Sequence, residues 1–179
     1  MQRELASTIA LLSSTPAAMT ALLGNLPDEL LHTTEGEGTW TISQVLAHLI
    51  HGERTDWLPR IQIILRAGES ETFPVFQREA HLSDTRPVHE LLADFSSLRS
   101  SGLARLQALN LTPQDLERRG THPAFGAVTL SQLLATWSTH DLTHLHQISR
   151  ILAAQYRDAV GPWSRFLGVL HCDGHSGKA

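Results

Sequence analysis

The chain has one cysteine, Cys172, in 179 residues, so no intrachain disulfide is available and the fold must rest on packing. It also lacks a basic surplus. Fourteen Lys and Arg against 18 Asp and Glu give a formal net charge of -4, and no Lys/Arg cluster interrupts the pattern. A nucleic-acid surface, which needs such a cluster to meet phosphates, is therefore not expected. No apolar run approaches the ~20 residues that span a bilayer, so no membrane partner is expected either. The run Leu5–Ser14 follows Arg3 as a signal peptide would, but Glu4 sits in the charged region and Thr15-Pro16 interrupts the run. These absences point to a reducing, cytoplasmic setting. Period-2 alternation, internal repeats, low-complexity tracts and interdomain linkers are missing too, which leaves one helical domain over residues 1–170 and a flexible tail over 171–179.

What is present is helical periodicity and 11 histidines. A first helix is expected over about residues 2 to 23, kinked or divided at Pro16. A second runs from about Ile42 to Arg66, capped by Thr39 or Thr41, ended by Gly68 and bent at Pro59. Residues 67 to 87, with Pro74 and Pro87, read as a long crossover. A third helix spans about Val88 to Leu109, and Thr112-Pro113 opens a single capped turn. The fourth runs from Thr129 or Leu130 to Tyr156, and Trp163 to Leu170 suggests a short terminal helix. Four long helices and a crossover between the second and third make an all-α four-helix bundle.

The stretch STHDLTHLHQI, residues 138–148, carries three histidines in seven positions. On a helical wheel centred on Leu130, His144 falls about 40° from the apolar stripe's centre, His140 about 80° away at its edge, and His146 nearly opposite. His140 and His144 are thus an i, i+4 pair able to reach one cation, while His146 belongs to the rim. A metal needs a third ligand from elsewhere. On the second helix His48 borders the apolar face and His51 points away from it, so His48 is the better candidate. Glu53 and Asp141 fall on the inward faces of the same two helices. Buried carboxylates are costly unless paired. They are either bases or outer partners of a polar site, or structural contacts to Arg54, Arg60, Arg150 or the backbone; Asp56 is a weaker candidate for an outer partner. His81, His89 and His122 are expected at the surface, and His171, Cys172 and His175 in the tail. Trp40, Trp57, Trp137 and Trp163 are expected in the core or a pocket wall, and Gly161-Pro162-Trp163 at the bundle end.

Two motifs resemble those of the DinB-like (damage-inducible) superfamily. Trp40-Thr-Ile-Ser-Gln-Val-Leu-Ala-His48-Leu, followed by Glu53, is similar to its first motif, and His140-Asp-Leu-Thr-His144-Leu-His-Gln147-Ile148 to its second. Gly126-Ala-Val-Thr129-Leu130 resembles the usual lead-in. Where the family often has Arg-Gly-Gln after the last histidine, this chain has Leu145-His146-Gln147. The resemblance covers nearly the whole chain. It implies a bundle of up-down-down-up order, frequent homodimers, and one divalent metal, Zn or Ni foremost, on His48, His140 and His144.

Three imidazoles leave coordination positions open, as in catalytic rather than structural sites. The resemblance then implies a thiol-S-transferase in which the metal activates a low-molecular-weight thiol against a small electrophile. The alternatives are a metal-dependent hydrolase with Glu53 or Asp141 as base, and a non-catalytic, stress-related metal-binding module. No basic pocket for the carboxylates of a bacillithiol-like cofactor stands out; Arg54, Arg60 and Arg86 are candidates, each otherwise a solvated surface charge.

Overall fold

The structure, a computed structural model, describes residues 2–172; the expectations for His175 and most of the tail lie outside them. Seven α-helices are present among the described residues: α1 Gln2–Leu23, α2 Asp28–Leu31, α3 Ile42–Thr55, α4 Trp57–Ala67, α5 Val88–Ala108, α6 Pro113–Leu116 and α7 Leu130–Ala154. Both α1 and the α3–α4 arm pack between α5 and α7, so the expected four-helix bundle is the observed one. By length and composition Leu5–Leu23, with mean hydropathy 1.4, is apolar enough to cross a membrane, contrary to expectation. In the bundle its Leu12, Met19 and Leu23 are buried.

The two internal prolines behave differently, for a stereochemical reason. Pro59 removes the N–H that would bond the Thr55 carbonyl and crowds that carbonyl with its ring. The expected second helix accordingly breaks at Asp56 (φ -110°, ψ -68°) into α3 and α4. Pro16 should have left the Leu12 carbonyl bare in the same way, yet α1 runs unbroken through it. The vacant acceptor is filled from outside: Arg99 Nη1 donates to Leu12 O at 2.9 Å.

No strand is expected from the residue pattern, but Arg119–His122 (β1) and Gly126–Thr129 (β2) form an antiparallel hairpin, Gly120 opposite Val128. Phe73 N donates to Thr121 O at 2.9 Å, tying the crossover to the hairpin. Gly120 is required there: a Cβ would stand 2.7 Å from the Phe73 ring and 2.8 Å from Ile64. Capping boxes at Thr41/Gln44 and Thr129/Gln132 fix the starts of α3 and α7.

The core divides into two apolar clusters. One holds Met19, Ile50, Phe95 and Ile148; the other holds Leu12, Trp57, Leu103 and Trp137. Glu53 on α3, Arg99 on α5 and Asp141 on α7 each fall between residues of the two clusters, forming a polar layer across the bundle.

Candidate metal centre

His48 sits mid-way along α3, held there by the Thr41 cap and by the burial of Val45, Leu46 and Leu49. His140 and His144 project from successive turns of α7. The ring nitrogens of the three histidines converge: His48 Nε2 lies 3.2 Å and His144 Nε2 3.1 Å from His140 Nε2. All three ligand atoms lie within 4.8 Å of one another. Tetrahedral coordination at a Zn–N bond of about 2.05 Å places neighbouring nitrogens about 3.3 Å apart, so the spacing fits one cation. His146 is half-buried and outside the trio, as the wheel indicated.

The protonation of the trio can be argued from its surroundings. Burial, reinforced by the neighbouring histidines, pushes the His48 pKa down to about 2. Burial likewise takes His140 down to about 3, and lowers His144. All three imidazoles are therefore neutral at pH 7. Gln147 Oε1 accepts from His144 Nδ1 at 2.8 Å, which places that ring's proton on Nδ1 and its lone pair on Nε2. Two or three lone pairs directed at one point repel unless a proton or cation lies between them. Neutral rings with converging Nε2 atoms are a donor set suited to a divalent metal.

A cavity of about 500 Å³ opens beside the trio. Its wall is largely aromatic and aliphatic, with Trp40, Trp57, Phe73, Phe76, Phe125 and Leu133 among the lining residues. Trp40 lies 5.0 Å from His48 and stacks at 15° on His144; Trp57 meets His140 edge-on at 5.2 Å. Among the described residues Asp56 is the only carboxylate on the wall. It pairs with Arg60 Nε at 2.7 Å, and burial pushes its pKa up to about 6 against the opposing pull of Arg60. Arg60, expected at the surface, is 6% exposed and lines this cavity. Arg54 and Arg86 are instead engaged by Asp94.

Glu53 and Asp141 stand one layer deeper, off the cavity wall. Arg99, 2% exposed, donates Nη1 to Asp141 Oδ2 at 2.5 Å and Nη2 to Asp141 Oδ1 at 3.0 Å. Its Nη2 also donates to Glu53 Oε1 at 2.8 Å, and Trp137 Nε1 donates to the same oxygen at 2.9 Å. Of the two roles expected for these carboxylates, the geometry matches the structural contact to an arginine. The arginine is Arg99, which the sequence reading had not singled out.

Two more residues were missed. His81, expected at the surface, is 3% exposed and meets His48 at 5.1 Å and Trp40 at 4.5 Å between ring centroids. His122 lines the cavity and stacks on Phe125 at 4.5 Å. Both lie on segments without helical period, where no wheel can assign a face; only the aromatic content of Phe73 to Phe76 hinted at a packed loop. His89 is exposed as expected, and Trp163, at 69% exposure, belongs to neither core nor cavity.

A family model described as the DinB superfamily matches residues 11–148. A protein of Oceanobacillus iheyensis, provisionally named a metal-dependent hydrolase, is 26% identical over 129 residues, covering 71% of this chain and 73% of that protein. One of Bacillus cereus bearing the same provisional name is 26% identical over 139 residues, covering 76% and 78%. Among solved structures, YfiT from Bacillus subtilis superposes with a TM-score of 0.74 at 23% identity, covering 89% of this chain and 90% of its own. Its description gives it an unusual four-helix-bundle topology and, provisionally, metal-dependent hydrolase activity.

Proposed function

The chain belongs to the DinB superfamily, and from that premise we propose that it is a metal-dependent hydrolase of small molecules, with one divalent metal held by His48, His140 and His144. The observation that carries this reading is the convergence of three neutral imidazole Nε2 atoms, 3.1 and 3.2 Å apart, at the edge of an apolar cavity of about 500 Å³. The names of the relatives support the hydrolytic direction. A divalent metal on three nitrogens supplies Lewis acidity toward a carbonyl oxygen and acidifies water near neutral pH.

The chain's own residues do the rest. Gln147 orients the His144 ring and fixes its tautomer. Trp40 and Trp57 flank the trio and, with Phe73 and Phe76, keep the cavity apolar, which strengthens every electrostatic contact inside it. Glu53 and Asp141 are saturated by Arg99 and brace the helices that carry the histidines. Proton transfer at a bound substrate therefore falls to Asp56, the one carboxylate among the described residues of the wall, and not to either of them.

The test is elemental analysis of untagged protein beside His48→Ala, His140→Ala and His144→Ala variants, with ester and amide hydrolysis assayed alongside thiol conjugation to an electrophile. One metal per chain, lost in each variant, with hydrolysis lost in parallel, is the expected result. Full metal content in all three variants would overturn the site. Thiol conjugation without hydrolysis would move the reaction to transfer.

A further inference from the structure

We infer that this cavity takes a substrate with an apolar body and a carboxylate, the carboxylate being read by Arg78 at the mouth. The inference rests on the hydrolase reading for the reaction but on the cavity alone for the recognition.

The wall's fixed charges are few. Asp56 and Arg60 cancel each other within one ion pair, and Arg78 is the remaining charged residue that lines the cavity. Arg78 makes no ion pair with any described carboxylate. Its guanidinium lies over the Trp40 ring, 5.6 Å from the centroid, which holds it at the opening and leaves its N–H fork for an incoming group. The same Trp40 ring packs on His48 and His144, so Arg78 stands one ring away from the trio.

The local excess of positive charge runs against the molecule as a whole, whose formal net charge is -4. A bound divalent cation would deepen it. Neutral substrates gain nothing from that field, and cationic ones are repelled. An anion gains a charge-assisted, planar match to the guanidinium, while the aromatic wall takes the apolar remainder.

The experiment compares 4-phenylbutyrate with 4-phenylbutyramide, two ligands of nearly equal shape, by calorimetric titration into metal-loaded protein. The wild type is expected to prefer the carboxylate. Arg78→Gln is expected to cut that preference by about fivefold, the scale of a partly exposed ion pair, with amide binding unchanged. Arg78→Lys keeps the charge and should recover part of the preference. Equal affinity for the two ligands, or no saturable binding of either, would overturn the inference. So would a carboxylate preference that survives Arg78→Gln, because it would then belong to the metal. Hydrolysis of mono-4-nitrophenyl glutarate against 4-nitrophenyl butyrate, run in parallel, separates the two proposals. Preference without turnover would sink the hydrolase reading and leave the carboxylate recognition standing.

Discussion

Replacing Arg99 with methionine removes a cation that touches all four arms of the bundle while keeping most of its volume. In the wild type one guanidinium satisfies Asp141 twice, Glu53 through Nε and Nη2, and the Leu12 carbonyl that Pro16 leaves without a donor. The Glu53 and Asp141 side chains are 3% and 0% exposed, so in Arg99→Met both carboxylates stay buried and face each other without a counter-ion. Stripping one partner from a buried ion pair costs about 3–5 kcal/mol, and the orphaned carbonyl adds about 1–3 kcal/mol. Set against a whole-domain stability of about 5–15 kcal/mol, that is enough to unfold a marginal protein. Urea unfolding of metal-stripped protein, followed by circular dichroism, measures the loss without linkage to metal binding. The defect should carry a pH signature. Burial already raises the Glu53 pKa, and without Arg99 it rises further. A carboxyl whose folded pKa exceeds its unfolded one loses stability as pH rises through that interval, so the variant's deficit should shrink on going from pH 7.5 to pH 5. Adding Glu53→Gln and Asp141→Asn to Arg99→Met should restore part of the loss, because the buried charges then disappear with their partner. A deficit under about 1 kcal/mol that is flat with pH would refute the reasoning and make the layer an ordinary packing contact.

Three further outcomes follow from the same geometry. Gln147→Leu removes the acceptor on His144 Nδ1 and should weaken metal affinity about 10- to 100-fold in a chelator competition, with the apo protein still folded; unchanged affinity would show that the ring is oriented by other contacts. Metal-stripped protein should lose stability as pH falls below the unfolded histidine value of about 6.5, since the unfolded chain takes up protons that His48 (about 2) and His140 (about 3) refuse until far lower pH, and burial lowers His144 in the same direction. The slope, up to about 1.4 kcal/mol per pH unit for each histidine, is opposed by the two buried carboxyls whose pKa is raised, Asp56 and Glu53, and a pH-independent urea midpoint between pH 6.5 and 5 would contradict the burial argument. Gly120→Ala drives a Cβ into Phe73 and Ile64 and should cost about 1–3 kcal/mol in urea unfolding, a penalty that Gly36→Ala, whose added Cβ meets nothing within 4 Å, should not reproduce.

The helices, their caps and the inward pair His140 and His144 were legible because a 3.6-residue period assigns every residue a face, and a capping box names its own start. The same wheel placed Glu53 and Asp141 inward and raised the question of their partner. It could not name that partner. Arg99 falls on the inward stripe of its helix, four residues from both Phe95 and Leu103, yet a long basic side chain there reads as reaching out to solvent until the neighbouring helices are in place. Its third contact was latent in the chain as Pro16, a proline whose predicted effect was a broken helix. A helix tolerates such a gap if some other donor reaches the freed carbonyl four residues back, and that donor came from a residue 87 positions away. The cavity wall was out of reach for a related reason. Phe73, Arg78 and His122 lie on a crossover and a hairpin, where no period relates sequence position to facing, and their places follow from tertiary bonds such as Phe73 N to Thr121 O. Periodic elements thus supplied the candidate ligands and one side of the cavity, Trp57, Arg60 and Leu133 included, and the aperiodic ones close the other side. Chemistry shared across such a bundle can therefore be read from helix motifs, whereas what the site accepts has to be read from the loops folded over it.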